Sequence, residues 1–153
     1  MRYGIPVAVL AVAGAGLTGC APTVSLDPAP DAENADCAAI VVALPDTVAG
    51  AERRDTDAQS TAAWGSPASI VLHCGVAVPG PTTDRCISID DVDWVEDASE
   101  EPIYTYTSYG RTPATEVTID STAVSASTAL TELTDAVGAL PAQGGCVGAE
   151  DVG

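Results

Sequence analysis

Phenylalanine is absent from this chain and its one methionine is Met1, so a core must be assembled from Val, Ile, Leu and Ala around Trp64, Trp94 and the tyrosines. A core so short of large apolar groups needs another source of stability. Cysteines supply it. Cys37, Cys74, Cys86 and Cys146 are an even set spread over the length of one domain, which in an exported chain reads as two disulfides. Closing a loop of about 15 to 100 residues stabilises by roughly 3 to 5 kcal/mol in the chain-entropy picture. Three pairings are open. The Pro79-Gly80-Pro81 turn suits a hairpin staple of Cys74 to Cys86 with Cys37 joined to Cys146, and the other two schemes join distant segments.

Export is read from the N-terminus. Arg2 precedes the apolar run Ile5 to Leu17, which is broken by Pro6, Gly14 and Gly16 and closes on Leu17-Thr18-Gly19-Cys20. The run is shorter than the roughly 20 apolar residues of a membrane span and has the layout of a signal peptide. Its last four residues look like a bacterial lipobox, with Gly19 small enough for a processing peptidase to reach the bond before Cys20. The expected organisation is a signal peptide over 1–19 and a lipidated Cys20 at the head of a Pro-rich, acidic tether over 20–36. A single extracytoplasmic domain over 37–146 and a frayed acidic tail over 147–153 follow. Two acyl chains on Cys20, palmitate among the usual ones, suffice for stable anchoring, so the expected location is the outer face of the cell membrane. The expected partners are membrane lipid through Cys20, lipoprotein-processing enzymes, and an envelope protein or wall component.

The formal net charge is -17 with no lysine anywhere, and loss of Arg2 with the leader makes it one unit more negative. A chain this acidic is repelled by nucleic-acid phosphate and by anionic headgroups. Nucleic acid is therefore excluded as a partner. The tether, with Pro22, Pro28 and Pro30 among its acids, is expected to be extended and to reach at most about 50 Å.

Periodicity outlines the domain. Asp36 is placed to cap a short helix in which Cys37, Ile40, Val41 and Leu44 share a face and Pro45 ends the run. Ser69 to Cys74 alternates as a strand, with Ile70, Leu72 and Cys74 on one face and Val71 and His73 on the other. From Cys86 to Val95 the alternation of Ile87 and Ile89 changes parity to Val92 and Trp94, as one extra residue in a β-bulge at Asp90-Asp91 would cause. Ile103 to Tyr109 and Thr115 to Ile119 are two β-rich runs joined by Gly110-Arg111-Thr112-Pro113, a hairpin. Ala126, Ala129, Leu130, Leu133, Val137 and Leu140 form a helical stripe stopped by Pro141. The expectation is an α+β domain, a small antiparallel sheet packed against a C-terminal helix, with a short N-terminal helix and two disulfides.

No catalytic constellation emerges. His73 is the only histidine, and its neighbour Cys74 points to the opposite face of the strand, so the two cannot act as base and nucleophile. Gly65-Ser66 lacks the frame that exposes a nucleophilic serine. One histidine and disulfide-bonded cysteines cannot complete a zinc site. Asp90, Asp91, Asp93, Glu96 and Asp97 are dense enough for a hard cation, but Asp91 to Glu96 lacks the glycine of a calcium loop. Neither a metal nor a cofactor is therefore expected. The candidate binding surface is Trp64, Tyr104, Tyr106, Tyr109 and Arg111, an aromatic and cationic group suited to a peptide or glycan. The competing structural explanation makes Trp64 a core plug beside a turn and the tyrosines cross-strand packing. The functional expectation is a non-enzymatic binding or accessory lipoprotein of the envelope, with small-ligand or cation binding as the alternative.

The segments Cys37 to Pro45, Trp64-Gly65-Ser66-Pro67 with Leu72-His73-Cys74-Gly75, Val92-Asp93-Trp94, and Tyr109-Gly110-Arg111 followed by Glu116-Val117 resemble the actinobacterial domain of unknown function 3515 family. The resemblance spans Cys37 to Leu140 and implies an envelope protein with a cell-wall context. It also implies Cys37 joined to Cys74 and Cys86 joined to Cys146. His73 stands where the family pattern favours arginine, which argues against a catalytic histidine.

Overall fold

The computed structural model describes Met1 and residues 22–147. The leader after Met1, Cys20 and the tail beyond Val147 lie outside the described residues. The elements are α1 (Ala35–Ala43), β1 (Thr47–Val48), β2 (Ala51–Arg54), β3 (Thr61–Trp64), β4 (Ile70–Val76), β5 (Cys86–Ile89), β6 (Val92–Glu100), β7 (Ile103–Ser108), β8 (Ala114–Asp120) and α2 (Ala126–Gly138). All strands pair antiparallel in one sheet, in the order β1-β2-β3-β4-β8-β7-β6-β5. The sheet is thus two four-stranded meanders that meet at a seam between β4 and β8, with residues 77–85 carrying the chain from the centre to the far edge.

One face of the sheet is covered. In the register Ile70 to Ile119 and Leu72 to Val117, the same face carries Cys74, Tyr106 and Trp94. The two helices pack on that face and against each other. The core joins Ile40, Val48, Trp64, Ile70, Leu72, Trp94, Val117, Ile119, Leu130, Leu133 and Val137. The stripe expected on the C-terminal helix is the buried one: Ala129, Leu130, Leu133 and Val137 lie inside α2, and Leu140 is buried just past its end. The α+β class, the antiparallel sheet, both helices and two disulfides all match the expectation.

Several local expectations are corrected. Asn34, not Asp36, caps α1: its side-chain oxygen accepts from the Asp36 amide at 3.0 Å, leaving Asp36 in the first turn. The parity change at Asp90-Asp91 is a chain reversal and not a bulge. Ile89 pairs with Val92 across the two residues, and Asp90 takes φ 50°, a left-handed value that a short polar side chain tolerates in a tight hairpin. The reversal brings Ile87, Ile89, Val92 and Trp94 to one face.

The tether is not free from Pro22 onward. β1 pairs with β2 at Ala51 and Glu52; just past the end of β2, Val24 bridges to Thr56, and residues 22–34 run from there to Gly75 of β4 as a strap. The Val24 amide donates to Asp55 O at 2.8 Å and Val24 O accepts from Asp57 at 3.3 Å. Asp57 accepts from the Leu26 amide at 2.8 Å and the Ser25 hydroxyl at 2.7 Å. Arg54 donates to Pro22 O. Asp31 donates to Gly75 O at 2.9 Å, an approach that requires glycine, since a Cβ at position 75 would run into the Asp31 carbonyl. Backbone pairing of this kind also blunts an exposed sheet edge. At the other terminus the chain after α2 passes Gly110, where the Gln143 amide donates to Gly110 O at 2.6 Å. It is then held by Cys146, whose amide donates to Asp93 at 2.6 Å.

Candidate functional site

The disulfides are Cys37–Cys74, which ties α1 to β4, and Cys86–Cys146, which ties β5 to the C-terminal segment; their Cα atoms are 5.5 and 5.8 Å apart. These are the pairs that the family resemblance implied. His73 lies on the uncovered face between Thr61 and Glu116, away from Cys74, whose thiol is taken. Strand alternation also disperses the acidic cluster. Asp93 and Asp97 share the parity of Val95 on the uncovered face, Glu96 lies on the opposite one, and Asp93 is occupied by Ser88 and the Cys146 amide. Among the described residues no three His, Cys, Asp or Glu side chains converge into a group able to hold a metal ion.

The structure splits the candidate binding surface. Trp64 is fully buried and its indole N–H donates to Pro45 O at 3.1 Å, so it is a core plug and not a contact residue. Arg111 is 4% exposed. Its guanidinium donates to the carbonyls of Gly138 and Leu140 at the end of α2 and to Asp91 O in the β5–β6 turn. Helix C-termini leave carbonyls without partners and carry partial negative charge, and α2 has no basic residue in its own last turn. A loop arginine supplies the cap. Arg53 does the same for α1, donating to Val41 O at 3.2 Å and Leu44 O at 3.1 Å while its guanidinium sits 6.0 Å from the Trp64 ring centre. Arg54, on the opposite side of β2, holds Gly65 O as well as the strap. Three of the described arginines therefore bind backbone carbonyls.

The tyrosines do come together, with a partner set that the sequence did not single out. Tyr104 and Tyr106 follow each other on one side of β7, ring centres 6.4 Å apart and planes within 20°. The register sets Glu96 of β6 opposite Tyr106. The Glu96 side chain is only 9% exposed and meets Arg85 at 2.8 Å, whose own side chain is 70% exposed. Burial, reinforced by the Glu96 charge, pushes the Tyr106 hydroxyl up to about 12. Hydrogen bonding with Glu101 raises that of Tyr104. Beside this ledge a cleft of about 360 Å³ is lined by Asp84, Arg85, Glu96, Asp97, Ala98 and Ser99. Tyr109 lies half-buried at the far end of β7, its amide bonded to Asp93 O at 2.8 Å, and does not join the group.

The ledge combines the half-exposed ring of Tyr104, backed by Tyr106, which is 4% exposed and part of the core, with a rim in which carboxylates outnumber the single guanidinium. That composition rejects anions. It suits a ligand bearing amines, amides or hydroxyls, which can pack on the Tyr104 ring and donate to the carboxylates. No group in it has the nucleophile-and-base geometry of a covalent catalyst.

No curated protein and no solved structure matches the chain. A family profile does match, described as a protein of unknown function (DUF3515), and it spans residues 4–144, reaching well N-terminal of the motifs that carried the resemblance. This chain belongs to that family.

Proposed function

We propose that the protein is a lipid-anchored component of the bacterial envelope, held on the extracytoplasmic face of the cell membrane, whose domain is a binding or accessory module and not an enzyme. One observation carries the reading. The four domain cysteines pair with one another, which leaves Cys20 alone outside the disulfide framework, directly behind Leu17-Thr18-Gly19. Two disulfides suit an oxidising compartment, and a cysteine with no disulfide role at the end of an apolar leader suits acylation. The surface offered to a partner is the ledge of Tyr104 and Arg85, backed by the buried Tyr106 and the largely buried Glu96, and the partner is a wall component or envelope protein rich in amines or hydroxyls.

The test is mass spectrometry of Cys20 in protein purified from membranes, with Cys20→Ala in parallel. Acyl chains on Cys20, and an unprocessed or shed Cys20→Ala protein, are expected. A mature N-terminus elsewhere, without acyl chains, sinks the proposal. For the domain, Tyr104→Ala should weaken partner capture in crosslinking from intact cells, whereas His73→Gln should complement a deletion strain normally. The opposite pattern in two folded variants would replace the binding reading with an enzymatic one.

A further inference from the structure

We infer that the docked strap makes the lipid anchor an orienting mount, seating the β1–β2 edge of the sheet against the phospholipid headgroups and holding the Tyr104–Glu96–Arg85 ledge on the side away from the bilayer. The inference rests on the acylation of Cys20 proposed above. A lipidated Cys20 sits at the membrane interface, held there by two chains. Only Ala21 separates it from Pro22, whose carbonyl is already bound by Arg54 on β2. Two peptide steps span at most about 7 Å. The strap then stays fixed through Val24, Ser25 and Leu26 on Asp55 and Asp57, and through Asp31 on Gly75. No slack is left for the domain to swing on.

The far edge follows from the strand order. Between β2 and β5 lie β3, β4, β8, β7 and β6, and at about 4.8 Å per strand step the β5 edge stands roughly 30 Å beyond β2. Arg85 and Glu96 belong to that edge. Charge does not produce this arrangement, since the chain carries -17 and the seated edge includes Glu52, Asp55 and Asp57. Repulsion from anionic lipid would lift a loosely tethered domain off the surface, within a screening length of about 10 Å at 0.1 M salt. The strap holds the edge down against it.

The test uses isotope-labelled protein purified from membranes and placed in phosphatidylcholine–phosphatidylglycerol nanodiscs containing a trace of gadolinium-chelate lipid. Paramagnetic signal loss should be concentrated in the amides of Glu52 to Asp57 and of Val24 to Leu26, and absent from Cys86 to Ile89. A ten-residue Gly-Ser insertion between Ala21 and Pro22 leaves every strap contact in place and should abolish the edge-specific pattern. Uniform loss in the parent protein, or loss centred on Cys86 to Ile89, overturns the orientation. An insertion variant that keeps the parent's pattern overturns the strap as its cause. Mass spectrometry of Cys20 on the same preparation separates the two readings. A bare Cys20 removes the anchor and the orientation with it, whereas an acylated Cys20 with a uniform pattern removes the orientation alone.

Discussion

Replacing Arg111 with methionine keeps the aliphatic stem of the side chain and removes the guanidinium, with its charge and donors. The guanidinium is 4% exposed and binds three carbonyls, of Leu140, Gly138 and Asp91, the Gly138 contact being the long one at 3.4 Å. Hydrogen bonds to a charged group contribute about 1.5 to 3 kcal/mol each, and a cation at a helix C-terminus adds up to about 2 kcal/mol. Against this, the variant no longer has to desolvate a guanidinium, a cost of several kcal/mol. With two strong bonds and one weak one, the balance is a loss of about 3 kcal/mol. Arg85→Met is the control. Its partner is Glu96, but its own side chain is 70% exposed, so it should cost at most about 1 kcal/mol. Urea unfolding of the oxidised protein measures both. At a slope of about 1 to 3 kcal/mol per M, Arg111→Met should lower the midpoint by roughly 1 to 3 M without changing the slope. If the two variants lose the same small amount, Arg111 is not the cap of α2 and the argument fails.

Three further outcomes are expected. Thiol titration of the unfolded, unreduced domain should find no free thiol among Cys37, Cys74, Cys86 and Cys146, and reducing either bridge, with separations of 37 and 60 residues, should cost about 4 kcal/mol; a free thiol in the oxidised protein would contradict the pairing. The Leu26 amide and Ser25 hydroxyl hold the Asp57 carboxyl below its ordinary 3.8, so strap docking is fully supported above that pH and weakens as the pH falls through the lowered value. The Leu26 amide resonance reports it, and a midpoint at or above 3.8 would refute the contact. Glu96→Gln removes the charge that helps burial raise Tyr106 to about 12, so ultraviolet titration should show its hydroxyl ionising at lower pH, and an unmoved Tyr106 would show that Glu96 does not face it.

Strands with one covered face were legible in the sequence. Ile70, Leu72 and Cys74, and the helical stripe from Ala126 to Leu140, announce themselves because burial on one side imposes a period. β1 to β3 did not, because Thr61 to Trp64 are buried on both sides and Ala51 to Arg54 end in two arginines with opposite tasks. The strap misled for a different reason. Proline and acid read as disorder by composition, yet its order comes from backbone groups of Asp55, Asp57 and Gly75 and from the side chains of Asp57 and Arg54, distant partners that the composition of the segment does not encode. Arg111 was taken for surface because a lone loop arginine usually is, and the demand that buries it comes from the carbonyls of a helix more than twenty residues away. The ledge was half visible: the tyrosines stood out, but only the β6–β7 register places Glu96 against Tyr106.

The seam between β4 and β8 bears on how the protein meets proteases. With no lysine and with Arg53, Arg54 and Arg111 held against carbonyls, a trypsin-like enzyme finds its most accessible bond among the described residues after Arg85, in the exposed crossover from β4 to β5. A cut there falls between the two disulfide loops, so neither bridge spans it. Each fragment keeps one meander, one helix and one bridge, and they remain joined by the β4–β8 ladder and by the packing of α2 on α1 and β1. The nicked protein should therefore run as an intact domain on a sizing column and separate into two chains only on denaturation without reductant, which makes the crossover the natural place to divide it for fragment complementation.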